Sequence, residues 1–293
     1  MRKPHNIHLF AVLIAILSAL GVIGGAHAAD RMRVAVTGQG PDVILIPGLA
    51  SSGAVWDATV KQLSATHRVH VVQVAGFAGA PVAGNAEGPV VEPLVEAIDD
   101  YIASAKLTSP AVIGHSMGGF TGLLLAQRHP EHVGRLLIVD SLPFFATLMS
   151  PTATVETVRP QAAAMRDAIA GIDAAAFDSQ QAMTLPRMVK SPEGLKAALE
   201  WSKASDRPTV ARAMYDLMTT DARPGLTAVK TPVTVLYPLD PATGATAAMV
   251  DGLYGAAYAA LPGVALKRID GARHFIMLDQ PQAFAAAVEA FLR

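Results

Sequence analysis

From Arg31 to Asp140, short apolar runs alternate with longer stretches whose apolar residues recur at helical spacing. The short runs are Val34 to Val36, Val43 to Ile46, Val69 to Val74, Ala111 to Ile113 and Leu136 to Val139. The helical stretches lie near Ala54 to Ser64, Val90 to Lys106 and Met117 to Arg128, with Pro130 closing the last. A strand covered by helices on both faces reads as a continuous β-branched run. The alternation therefore predicts an α/β fold built on a mostly parallel sheet.

From Pro143 to Val229 the pattern changes to an alanine-rich stretch with no convincing strand, which predicts a helical insertion. It holds Met149, Met165, Met183, Met188, Met214 and Met218, six of the chain's eleven methionines. These either fill the insertion's core or line an adaptable apolar pocket, since an unbranched thioether moulds to varied shapes. Strand character resumes at Val233 to Tyr237 and Val264 to Ile269, and a helix from about Gln282 to Leu292 ends the chain. The insertion thus precedes the penultimate strand, and the expected organisation is a core in two parts, 29–142 and 230–293, around a helical lid at 143–229.

Residues 1–28 have the pattern of a secretory signal peptide: Arg2 and Lys3, an apolar run from about Leu9 to Ile23, then Ala26-His27-Ala28 before the expected cut. The apolar run is shorter than the ~20 residues of a membrane-spanning helix, so a stable membrane anchor is not expected. Export to the periplasm or the medium follows as an expectation.

Composition narrows the chemistry. With 52% hydrophobic residues, 23 basic against 24 acidic, the chain has no charge excess to draw it onto nucleic acid. It has no cysteine, so a nucleophile must be an oxygen or a nitrogen.

The strongest local signal is Gly114-His115-Ser116-Met117-Gly118-Gly119, between a predicted strand and a predicted helix. A G-x-S-x-G turn in that setting pushes the serine out at the carboxyl edge of the sheet, at the positive end of the following helix. A serine nucleophile needs a base, and the base needs an acid. His274, in the loop after the last strand, can swing over the sheet edge. His67, His70, His115, His129 and His132 read as structural or surface residues. Two acids are candidates: Asp240 ends the penultimate strand and gives the order Ser116, Asp240, His274, and Asp140 ends the strand after the nucleophile helix. We take Asp240 as the expected acid and Asp140 as the alternative. The turn Pro47-Gly48-Leu49 supplies the N–H of Leu49, which pairs with that of Met117 as the expected oxyanion hole.

These residues resemble the α/β-hydrolase superfamily, in particular its lid-bearing esterases. The resemblance covers nearly all of 31–293, through the loop from Pro47 to Trp56, the elbow Gly114 to Gly119, Pro232 to Asp240, and Gly271-Ala272-Arg273-His274-Phe275. The family usually has a glycine shortly before its acid, where this chain has Pro238, which keeps both aspartates in play. The resemblance implies carboxylic ester hydrolysis through an acyl-enzyme, with no cofactor or metal. The apolar lid leads us to expect a small-molecule ester with an uncharged, apolar acyl group. Alternatives with the same triad are an amide or peptide substrate, as in relatives resembling prolyl aminopeptidases, or a carbon–carbon bond. The peptide alternative calls for lid acids in the pocket, for which Glu156, Asp167, Asp173, Asp178 and Glu193 are available. A binding protein that keeps the fold without catalysis is the remaining reading.

Overall fold

Seven strands form one sheet in the computed structural model, which describes residues 30–293. The expected signal peptide, residues 1–28, lies outside the described residues. In chain order the strands are β1 (Met32–Thr37), β2 (Asp42–Ile46), β3 (Arg68–Val74), β4 (Ala111–His115), β5 (Arg135–Val139), β6 (Val233–Leu239) and β7 (Ala265–Asp270). Their spatial order is β1-β3-β2-β4-β5-β6-β7, and every pairing is parallel except β1 with β3. The expected mostly parallel sheet is present, with one antiparallel strand at its edge.

The helices are α1 (Asp57–Leu63), α2 (Val91–Ser104), α3 (Met117–Arg128), α4 (Val155–Gly171), α5 (Ala174–Thr184), α6 (Pro192–Ala204), α7 (Arg207–Thr219), α8 (Ala247–Ala257), α9 (Ile276–Asp279) and α10 (Pro281–Leu292). Successive strand residues point to opposite faces, so the continuous apolar runs build two cores. Ile44, Ile46, Val112, Leu136, Ile138 and Val235 meet α2 and α3 on one face. Val43, Leu45, Ile113, Leu137, Val139 and Leu236 meet Leu63 of α1 and Phe284, Val288 and Phe291 of α10 on the other. Each such side chain contributes about 1.5–3 kcal/mol by leaving water.

Between β5 and β6 the described residues form helices α4 to α7 joined by short turns. The sequence starts these helices explicitly. Thr154 and Thr157 form a capping box at α4, Asp173 accepts the Ala176 N–H at α5 (2.9 Å), and Asp206 accepts the Thr209 N–H at α7 (2.9 Å). Such caps are worth about 1 kcal/mol each. The helices are divided among the cores: α7 sends Val210, Ala213 and Leu217 into the first, while Leu185, Val189 and Ala198 join the second. Phe144, Ala153, Val158, Ala162 and Met218 make a third, smaller cluster where α4 packs on α7.

The sequence pattern does not announce α8. It contains Gly252 and Gly255, each costing about 1 kcal/mol of helix propensity. Tertiary contacts hold it: Tyr254 and, just past its end, Tyr258 are buried in the first core, and the Thr246 hydroxyl caps its start.

Candidate active site

Ser116 stands between β4 and α3 with φ 52° and ψ −117°, a sparsely populated conformation that costs about 1–3 kcal/mol. The surroundings enforce it. The Ser116 N–H donates to the Val139 carbonyl of β5 (2.9 Å), and α3 is drawn so close to β2 that a Cβ on Gly118 would lie 2.2 Å from the Ile46 carbonyl oxygen. The loop after β2 folds back over this turn: a Cβ on Gly48 would come within 3.2 Å of the Ser116 Cβ. Leu49, Ala50 and Ser51 of that loop line the same cavity as Ser116. Among the described residues, the N–H groups of Leu49 and Met117 have no acceptor.

His274 also lines this cavity, and its Nδ1 hydrogen-bonds the Asp140 carboxylate at 2.6 Å. Since a carboxylate accepts, Nδ1 carries a proton, and in the neutral imidazole Nε2 is then the bare nitrogen. Asp140 sits at the end of β5 with φ 47°. Its second oxygen accepts the hydroxyl of Tyr254 from α8. Burial and the neighbouring Asp140 charge hold the Tyr254 phenol well above the ordinary range, so it stays a donor.

The expected acid, Asp240, is not the partner of His274. Its carboxylate accepts from Arg273 Nε (2.8 Å) and the Ala242 N–H (3.2 Å), with Lys190 Nζ at 3.7 Å. Burial pushes this carboxyl upward, but Arg273, the Ala242 N–H and Lys190 together hold it below the usual carboxylate range. The alternative, Asp140, occupies the place, because its left-handed backbone and Tyr254 aim it at the imidazole. Both controls escape a sequence reading: the φ is a property of the fold, and Tyr254 lies on the helix that the pattern does not announce.

Other side chains fix the histidine loop. The Asp279 carboxylate accepts the N–H of Arg273 (2.9 Å) and those of Lys190 (2.8 Å) and Ser191 (2.9 Å), pinning the loop to the α5–α6 connection. His115, buried behind Ser116, donates its Nε2–H to the His274 carbonyl (3.1 Å), and its ring lies 4.5 Å from the His274 ring. Burial, and then the neighbouring His274, hold the His115 imidazole well below the ordinary histidine range, so it is neutral.

The cavity encloses about 570 Å³. Most of its wall comes from the insertion and is largely apolar, including Met149, Met165, Met188, Met214 and Met218, whereas Met183 is exposed. Five of the six methionines of the insertion thus face the pocket, and Met218 also belongs to the third core cluster. Among the described lining residues, the only charged or titratable side chains are His115, Asp140, Tyr254 and His274; Glu156, Asp167, Asp173, Asp178 and Glu193 are absent from the wall.

The sequence matches the model of the Alpha/beta hydrolase family over residues 43–287. It is similar to a pimeloyl-[acyl-carrier protein] methyl ester esterase of Aromatoleum aromaticum, 29% identical over 86% of this chain and 98% of that protein. The same-named protein of Aeromonas hydrophila is 36% identical, over 37% of this chain and only 41% of its own length. Among solved structures, the enol-lactonase from Burkholderia xenovorans superposes with a TM-score of 0.71 at 22% identity, covering 89% of this chain and 96% of that one.

Proposed function

This chain belongs to the alpha/beta hydrolase family, and from that premise we propose that it hydrolyses carboxylic esters through Ser116, His274 and Asp140. The supporting observation is the Asp140–His274 hydrogen bond at the wall of the cavity that Ser116 lines. With Nδ1–H committed to Asp140, the bare Nε2 takes the Ser116 proton as the oxygen attacks the ester carbonyl. Asp140 stabilises the imidazolium, and the N–H groups of Leu49 and Met117 receive the oxyanion, aided by the positive end of α3. The imidazolium returns its proton to the leaving alcohol. Water then attacks the acyl-enzyme by the same route.

The wall suggests the substrate. An apolar chamber without a lysine or arginine favours a neutral, apolar acyl group, since an unpaired charge buried there is expensive. The activity for which these relatives are named, cleavage of a methyl ester, supports the ester over other bonds. The peptide alternative loses ground because no lid acid faces the cavity to hold a substrate amine.

A fluorophosphonate probe tests the reading. The expected adduct sits on Ser116 and vanishes in Ser116→Ala, and p-nitrophenyl esters with neutral acyl chains are hydrolysed faster than those with a terminal carboxylate. Folded protein that takes no label, or that prefers charged acyl groups, would sink the proposal.

A further inference from the structure

Besides Ser141, next to Asp140, whose buried hydroxyl has no partner among the described residues, two uncommitted hydrogen-bonding side chains of the cavity wall come from the insertion. Hydroxyls on helices normally bond back to the carbonyl one turn earlier. Ser179 does so to Ala175, Thr184 to Gln180 and Ser205 to Trp201, at 2.8, 2.9 and 2.8 Å. Ser202 does not: it is 4% exposed, lines the cavity, and makes no side-chain hydrogen bond among the described residues. The same holds for Gln181, half-buried in the wall, although the amides of Gln62, Gln73, Gln127 and Gln280 each donate to a backbone carbonyl. The Asp178–Lys203 ion pair (3.3 Å) ties the middle of α5 to the end of α6. Gln181 lies three residues beyond Asp178, and Ser202 is next to Lys203. Both line the same cavity, together with Phe177, Leu185 and Ala198.

A polar group in an apolar wall costs stability unless something pairs with it. Both residues can donate, and a neutral carbonyl oxygen can accept from both. Resting on the ester hydrolase reading above, we propose that the acyl part of the substrate carries a second carbonyl, an amide or a ketone, which is held by the Gln181 amide and the Ser202 hydroxyl. A second carboxylate does not fit, because no lysine or arginine is among the described residues that line the chamber. A plain alkyl chain leaves both donors unpaired.

The test compares p-nitrophenyl esters of one chain length, with a ketone or amide moved along successive positions, against the all-methylene chain. The expected result is a preference at one position of roughly fivefold or more in kcat/KM, the worth of one or two hydrogen bonds. Gln181→Met and Ser202→Ala, which preserve bulk and remove the donors, should each flatten that preference toward unity. A profile that is flat in the unaltered protein overturns the proposal, as does a preference that survives both substitutions. Fluorophosphonate labelling of Ser116 in the same preparations separates this failure from failure of the hydrolase reading: labelled protein with a flat profile refutes only the second carbonyl.

Discussion

Two neighbouring strands end alike and the aspartates that follow them do opposite work. β5 runs out through Ile138-Val139 to Asp140 and β6 through Pro238-Leu239 to Asp240, both at the carboxyl edge of the mostly parallel sheet. Asp140 turns into a left-handed φ of 47° and meets His274. Asp240 keeps an extended backbone, with φ −117°, and closes on Arg273. The contrast teaches that an acid at a strand end becomes a histidine's partner only if its backbone aims it and its neighbours leave it free. Arg273 adjoins His274 in sequence, so Asp240 acts on the site through the loop that carries the base.

The sharpest way to break this comparison is to remove the charge from each aspartate in turn. Asp140→Asn leaves the imidazole without the carboxylate that sets its tautomer, and kcat/KM for a neutral ester should fall by roughly 10⁴-fold. Asp240→Asn should lower activity far less, by tenfold at most, since it touches the base only through Arg273. The reverse ranking would restore Asp240 as the acid. The damage in Asp240→Asn should appear in stability, about 1–3 kcal/mol at neutral pH for charged hydrogen bonds that are lost, read from denaturant midpoints. The sign with pH follows from the lowered carboxyl. The Asp240 contribution is fully present above the ordinary carboxyl value of about 3.9 and is lost as pH falls through the lower folded value. The variant and the unaltered protein should therefore converge in acid.

Tyr254 offers a finer test of what aims Asp140. Its ring stacks on Tyr237 with centroids 4.4 Å apart, so Tyr254→Phe keeps the packing and deletes only the donor to the carboxylate. Activity should fall by roughly tenfold or more, the value of a hydrogen bond to a charged group, with kcat affected more than KM. An unaltered kcat would mean that the backbone of Asp140 alone sets its direction.

The comparison also marks where sequence reading ends. Ser116, His274 and the helical stretch before β6 are legible because local chemistry carries them: a glycine-flanked turn, a histidine after the last strand, alanine and methionine without strand character. The choice between Asp140 and Asp240 is not local. Position along the chain points to Asp240, at the end of the penultimate strand, whereas the structure pairs Asp140 with the histidine. What decides is a positive φ, an arginine adjoining the histidine, and a tyrosine on a helix whose two glycines mask it. Gln181 and Ser202 are hidden for the same reason, since only the packing of α5 and α6 places them in one wall.

The smallest effect concerns His115, whose side chain lies behind the nucleophile and supports the base from its other side. Its imidazole is held below the ordinary histidine value by burial and by His274. Below about pH 6.5 the unfolded chain therefore takes up a proton that the folded one refuses. Stability is then lost on acidification, by up to about 1.4 kcal/mol per pH unit until the folded value is reached. His115→Gln keeps a donor for the His274 carbonyl and removes the titration. The stability difference between the unaltered protein and this variant should be largest near pH 7.5 and shrink toward pH 5.5, as measured by urea unfolding. A difference that stays constant across that range would show that folded His115 takes up its proton as readily as the unfolded chain does, and the neutral brace behind Ser116 would have to be abandoned.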